Sequence, residues 1–160
     1  MDYLCLDIVN SNLTDWRSSA IKRDMLDDPQ WLSQLFDKWD LGALLHLDSV
    51  TKERLTSLRK NMHETIVEIN AGQSDQVKLR EINNILQSVS MNVYLVYDEP
   101  EYQIEHDYNE AGWSLVIWRI AYSFAQLLTN KDKSRIKICD NHDCGWVFFR
   151  SKQKQSSTLV

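Results

Sequence analysis

Glycine and proline are scarce in this chain, with four and two among its 160 residues. They are the usual turn formers, and an all-β sandwich needs a turn about every eight to twelve residues, so their scarcity argues against that fold. Long apolar runs are also missing, because the longest, near Trp113–Ile120, is broken by Ser114 and Arg119. A membrane-spanning helix needs roughly 18 consecutive apolar residues, so we expect no membrane partner.

We expect no export signal either. The first residues, MDYLCLDIVNS, include the early acid Asp2 and no basic flank, unlike a secretory signal. The chain has only three cysteines, and without an export signal a disulfide framework is not expected. These features predict a protein of the reducing cytoplasm.

Charge is distributed unevenly along the chain. From Lys131 onward there are seven Lys and Arg against three Asp, a balance of +4, whereas the first 130 residues carry eleven basic and twenty acidic side chains, a balance of −9. The body should repel nucleic acid and the C-terminal segment should attract it. Arg150, Lys152 and Lys154 are the candidate nucleic-acid contacts, and the alternative is an ordinary solvated terminus.

Apolar residues recur at three- and four-residue steps over most of the chain, which predicts long helices. The first opens at Asp28-Pro29, an N-cap acceptor followed by proline at the first helical position, and Gly42 is its predicted end. The further predicted helices cover residues 49–71, 74–89 and 110–129. Residues 3–10 fit a strand or a helix equally well.

β-Branched and aromatic residues dominate Met91–Asp98 and Tyr102–Tyr108, which predicts a β-hairpin with Pro100 in its turn. Short strands are also predicted on both sides of a cysteine pair near the C-terminus. The fold class is therefore mainly α with a β-hairpin. We expect a helical domain over residues 1–130 with the hairpin near 91–108, a short knuckle over 131–150, and a disordered tail over 151–160.

Cys139 and Cys144 flank a tight loop, the arrangement by which proteins usually supply the first two zinc ligands. Gly145 fits this interpretation, because the residue after the second thiol often needs a positive φ. The alternative is two cytosolic thiols without a metal. His142 lies inside the loop, where binding the same ion would be strained, and Cys5 lies in an apolar run typical of a core residue.

Several segments resemble a known family. Residues 6–11 (LDIVNS), the helix that carries Arg59, and residues 79–86 with Asn83 resemble the ABATE domain. Residues 135–139 (RIKIC) and 143–148 (DCGWVF) resemble the opening of the CGNR zinc finger. Together the resemblance spans nearly the whole chain.

The resemblance implies a bacterial, stress-induced transcription regulator, with a helical sensing or scaffold domain and a zinc finger that binds DNA. In that family the finger continues through a basic stretch to a Trp-Cys and a Cys-Gly-Asn-Arg, which supply ligands three and four. Here residues 150–160 read RSKQKQSSTLV and contain no cysteine. Cys139 and Cys144 are therefore the only ligands carried over. The resemblance thus implies a degenerate finger whose zinc site is incomplete in this chain, and the alternative of two thiols without a metal stays open.

Four polar residues stand in apolar surroundings at positions that match polar positions of the family pattern: Asp7, Asn10, Arg59 and Asn83. One hypothesis makes them a small-ligand pocket, in which the guanidinium faces an Asp or an anionic ligand. The other makes them an internal polar network that fixes the N-terminal segment.

Three functions follow from these patterns. The leading one is a regulator whose N-terminal domain senses a small-molecule ligand or mediates association, with DNA as its partner. The second is an interaction protein without DNA recognition, which associates with itself as a homodimer or with a complete relative. The third is a small-molecule enzyme using Asp7, Asn10 and Arg59. Because the chain shows no phosphate-binding glycine loop or nucleophile elbow, we expect a protein that is not an enzyme.

Overall fold

The computed structural model describes most of the chain, in the ranges 3–14, 22–43, 46–73, 76–129, 133–141 and 144–150. Within them the fold is mainly α-helical with small antiparallel hairpins, so the predicted fold class is confirmed. The expected disordered tail over 151–160 lies outside these ranges.

The N-terminal segment, which fitted strand or helix, is a short helix, α1 (Leu4–Val9). Its apolar side chains, with Cys5 and Ile8 at most 1% exposed, pack against the long helix α5 defined below. A hairpin that the sequence did not predict follows, with β1 (Asn12–Thr14) antiparallel to β2 (Lys22–Asp24). A 3₁₀ turn, Met25–Asp27, then leads to the second helix.

Helix α2 (Pro29–Trp39) begins where predicted, because one Asp28 carboxylate oxygen accepts hydrogen bonds from the amides of Gln30 and Trp31. It ends earlier than predicted. Asp40, with a φ of +47°, takes the left-handed conformation that had been expected of Gly42.

Three further helices complete the core. Helix α3 (Ser49–Asn70) is capped by Asp48, whose carboxylate accepts from both the amide and the hydroxyl of Thr51. Helix α4 is Gln76–Gln87, and both helices pack against α5 (Gly112–Thr129). Helix α5 contributes buried side chains along most of its length, as its apolar residues around most of the helix circumference predicted.

The predicted hairpin is present, with β3 (Met91–Asp98) and β4 (Glu101–Tyr108) paired from Met91↔Tyr108 to Asp98↔Glu101. Seven of the eight residues in each strand are exposed. We call residues 91–108 the arm.

The C-terminal hairpin consists of β5 (Ile136–Ile138) and β6 (Val147–Phe149), which are antiparallel. Ile136 and Val147 are each 1% exposed and belong to the same core as the helices. Among the described residues, no helix is long and apolar enough to cross a membrane.

Candidate functional site

Asn10 follows α1 and joins it to β6. Its amide Nδ2 donates to the carbonyl of Val147 at 2.8 Å, and its Oδ1 accepts from the amide of Val147 at 2.8 Å. The side chain thus pairs with the backbone of β6 as a neighbouring strand would, 137 residues away in sequence. Asn10 therefore holds the C-terminal hairpin against the body of the protein.

Arg59 is 7% exposed, and three hydrogen bonds hold its guanidinium to side chains of the same chain. Its Nη1 donates to Asp24 Oδ1 at 2.7 Å and to Ser11 Oγ at 2.8 Å, and its Nη2 donates to Asp24 Oδ2 at 2.8 Å. This bidentate pair joins α3 to the end of the first hairpin. The contacts of Arg59 are therefore of the kind expected from the second hypothesis, an internal polar network.

The charge state of Asp24 follows from this contact. Partial burial alone would raise the pKa of Asp24, but it is outweighed by the hydrogen bonds from Arg59, the amide of Leu26 and the positive charge of Arg59. The pKa of Asp24 is therefore held below its usual value. Asp24 is therefore ionised at neutral pH.

Asp7 joins α1 to α2. Its Oδ2 accepts from Lys38 Nζ at 2.7 Å and from the indole Nε1 of Trp39 at 2.6 Å. About a third of the Asp7 side chain remains exposed, so the carboxylate faces solvent on one side.

A cleft of about 300 Å³ opens beside Asp7. We call it the Trp146 cleft, and its walls come from α1, α2 and the C-terminal hairpin: Asp7, Asn10, Met25, Trp31, Gln34, Leu35, Lys38 and Trp146. Trp146 is 45% exposed, although it adjoins the buried Val147. The cleft thus combines two indole rings with a carboxylate, an ammonium and two amides, and it lies where the hairpin meets the helices.

The structure does not bring the four predicted site residues together. Asp7 and Asn10 line the Trp146 cleft, whereas Arg59 lines a different cleft of about 390 Å³ beside His63 and Cys144. Asn83 is exposed on α4, so its surroundings are not apolar as predicted. Arg59 and Asn83 thus do not line the Trp146 cleft together with Asp7 and Asn10, because Asn83 is exposed on α4 and Arg59 is engaged with Asp24.

Cys139 and Cys144 are half-buried thiols on the loop between β5 and β6. The amide of Cys139 donates to the carbonyl of Trp146 at 2.8 Å, which extends the hairpin ladder by one bond. Gly145 has a φ of +59°, as predicted for the position after the second thiol. His63 Nε2 from α3 lies 3.3 Å from the Gly145 carbonyl, so the loop is seated on that helix.

The donors around this loop do not fit a complete zinc site. Within the ranges that the structure describes, no three His, Cys, Asp or Glu side chains come together as a metal-binding group, whereas a structural zinc ion needs four ligands. His142 lies outside those ranges. Cys5 is completely buried, and burial raises the pKa of its thiol to about 12, so it is a protonated core residue.

The basic residues of the C-terminal segment differ in their contacts and in their exposure to solvent. Arg135 and Arg150 continue the β5–β6 ladder, with the Arg150 amide donating to the Arg135 carbonyl at 2.9 Å. The guanidinium of Arg135 lies 4.5 Å from the ring centroid of Phe149. Arg150 itself is exposed, and the other predicted nucleic-acid contacts, Lys152 and Lys154, lie outside the described residues.

Sequence reasoning missed Asp24, Trp31 and Trp146. For Asp24 the sequence held one indication, because a buried arginine requires an acidic partner. The sequence contains many acidic residues, however, and it does not show which of them lies near Arg59. The tryptophans gave no signal of their own, because a tryptophan on a helix or beside a strand is typically a core residue.

No model of a known protein family matches this chain, and no curated protein is significantly similar to it. The resemblance to the ABATE and CGNR families thus stays an expectation based on the residues quoted above.

Proposed function

We propose that this protein is a ligand-responsive transcription regulator in which a small molecule binds in the Trp146 cleft. The observation that carries the proposal is the position of Trp146. This residue belongs to the C-terminal hairpin, yet it forms one wall of a cleft whose other walls are α1 and α2. A ligand there would contact the helical body and the hairpin at once, so binding would stabilise one position of the hairpin over others.

The lining of the cleft defines the class of ligand. Two indole rings favour a planar aromatic compound, and the amides of Asn10 and Gln34 favour one with hydrogen-bonding groups at its edge. Asp7 and Lys38 already neutralise each other, so a strongly charged ligand is not favoured. The volume of about 300 Å³ suits a compound of one or two rings.

DNA is the proposed target of the C-terminal hairpin. Its supporting observation is the basic segment of balance +4 beside a body of balance −9, with Lys133 and Arg150 exposed. Binding of this kind is driven by contacts with phosphates and weakens as salt rises. The alternative function, an interaction protein without DNA recognition, predicts no such binding.

The ligand half of the proposal is tested by ligand-observed NMR with a panel of planar heteroaromatic compounds: indole, quinoline and the free nucleobases. We expect saturation transfer to at least one of them, lost in Trp146→Ala and kept in Phe148→Ala, since Phe148 is 40% exposed on the same hairpin but does not line the cleft. Equal signals from both variants would show that the cleft is not the binding site.

The DNA half is tested by electrophoretic mobility shift with genomic fragments at low and raised salt. We expect Lys133→Glu with Arg150→Glu to weaken binding at least about tenfold and to reduce the salt slope by about 2. The matched control reverses two exposed charges on the body, Lys60→Glu with Arg80→Glu, and should leave binding nearly unchanged. No shift at low salt would reject DNA binding and favour the interaction protein.

A further inference from the structure

The arm has two chemically different faces. Side chains alternate between the faces of a β-ribbon, and residues paired across strands share a face. The register places one set on the first face: Met91, Val93, Leu95, Tyr97, Tyr102, Ile104, His106 and Tyr108. The second face carries the other set: Asn92, Tyr94, Val96, Asp98, Glu101, Gln103, Glu105 and Asp107. The arm therefore has an apolar face that includes three tyrosines, and an acidic face.

The apolar face is open to solvent. Leu95 and Tyr102 are 72% exposed, and Ile104 is 65% exposed. An isolated two-stranded hairpin is at best marginally stable in water, and it normally needs a further layer on its apolar face. A contiguous apolar patch of this kind is typical of an interaction surface.

The apolar face continues onto α5 at the base of the arm. There the ring of Tyr108 lies 5.6 Å from that of Trp118, and Trp118 stacks on Tyr122 with centroids 5.0 Å apart. These rings, with Met91, line a cleft of about 450 Å³. A cavity of about 150 Å³ already accommodates a benzene ring, so the cleft has room for tyrosine side chains.

We propose that the apolar face of the arm binds the same face of a second copy of this chain, with the two arms antiparallel. The tip of each arm, where Tyr97 and Tyr102 contact each other with centroids 5.0 Å apart, then enters the cleft at the base of the other. Tip and cleft lie on one face, so a single two-fold axis satisfies both contacts at once. This assembly is independent of the ligand and DNA proposals above.

Area favours this occupant. Each strand has eight residues, so the arm is about 27 Å long and can reach from tip to base of its counterpart. Its exposed apolar side chains, together with Tyr122, present an area on the order of the 800 Å² that each partner contributes to a stable interface.

Charge favours it as well. The tip acids Asp98 and Glu101 belong to the second face, so they point away from the partner chain. The first faces, which meet in the dimer, carry no acidic side chain among their eight residues. The acidic second faces then point away from each other, which limits repulsion between two chains of net charge −5.

The test is the molar mass of the full chain by light scattering after size-exclusion chromatography over a range of concentrations. We expect a concentration-dependent dimer. Leu95→Glu with Ile104→Glu should raise its dissociation constant at least about thirtyfold. The matched control, Tyr94→Glu, lies on the acidic face of the same strand and should stay dimeric. Circular dichroism checks that each variant keeps its helices.

A second measurement is independent of the stability of the glutamate variants. Chains carrying Tyr102→Cys are mixed with chains carrying Tyr122→Cys and oxidised, with the parent chain as background. We expect a disulfide between the two kinds of chain, and none when Tyr94→Cys replaces Tyr102→Cys. A wild-type monomer at hundreds of micromolar would overturn the proposal. A dimer insensitive to Leu95 and Ile104, or cross-linked equally through Tyr94, would also overturn it.

Discussion

At the residue scale, the contact between Arg59 and Asp24 has the clearest energetic consequence. Arg59 is buried, so its positive charge is stabilised chiefly by this carboxylate and by Ser11. Removing one member of such a pair leaves a charge without compensation, which costs more than the pair itself contributes. The same contact lowers the pKa of Asp24 and makes stability depend on pH.

Asp24→Asn should lower the free energy of unfolding by about 2 kcal/mol at neutral pH. In the unfolded chain an aspartate has a pKa of about 3.9, so the stabilisation by ionised Asp24 is complete above that pH. It is lost as pH falls through the lower pKa of the folded state. Urea unfolding of wild type and variant from about pH 6 to about pH 3 should therefore show their difference shrinking.

The control is Asp27→Asn on the adjoining 3₁₀ turn. Asp27 pairs with Lys52, but 62% of its side chain is exposed, and exposed ion pairs contribute little to stability. This variant should stay within about 0.5 kcal/mol of wild type. A pH-independent effect of Asp24→Asn would contradict the role given to its ionised form.

At the element scale, the C-terminal hairpin shows how a segment of two three-residue strands is kept in place. Its two strands are too short to be stable alone. Ile136 and Val147 are buried in the common core, and Asn10 supplies two further hydrogen bonds to β6. A comparable contact ends α2, where Arg119 from α5 donates to the carbonyls of Trp39 and Asp40.

Asn10→Asp should detach this hairpin in part. The substituted carboxylate still accepts from the Val147 amide, but it places a second oxygen where the amide had donated to the Val147 carbonyl. We expect a loss of about 2 kcal/mol and faster hydrogen exchange at the amide of Val147. Asn83→Asp, the same change at an exposed position of α4, should have almost no effect.

At the scale of the whole molecule, the C-terminal hairpin and the helices share one core. Removal of metal with a chelator should therefore change the melting temperature by less than about 2 °C, because Ile136, Val147 and Asn10 hold the hairpin without an ion. The double variant Cys139→Ser, Cys144→Ser should also keep the melting temperature of the wild type within the same limit. A separate low-temperature transition after chelation would instead indicate a hairpin that depends on zinc, as zinc fingers do.

Local sequence patterns predicted most of the helices and strands, but they did not predict the contacts between residues distant in sequence. The periodicity of α3 and α5 and the two strands of the arm could be predicted because each depends on neighbours within a few residues. Residues 3–10 are too short to distinguish helix from strand, and α1 forms because α5 covers it. The partners Asp24 for Arg59 and Val147 for Asn10 lie 35 and 137 residues away, beyond any local pattern.

The contact between Asn10 and Val147 also affects when the N-terminal helix can fold during synthesis. Helix α1 is synthesised before α5 and β6, which pack against it and follow more than 100 residues later in the chain. At a synthesis rate of about 5–20 residues per second, the apolar residues of α1 remain uncovered on the order of 10 s. Leu4, Ile8 and Val9 therefore stay without their native contacts until α5 and β6 have been synthesised.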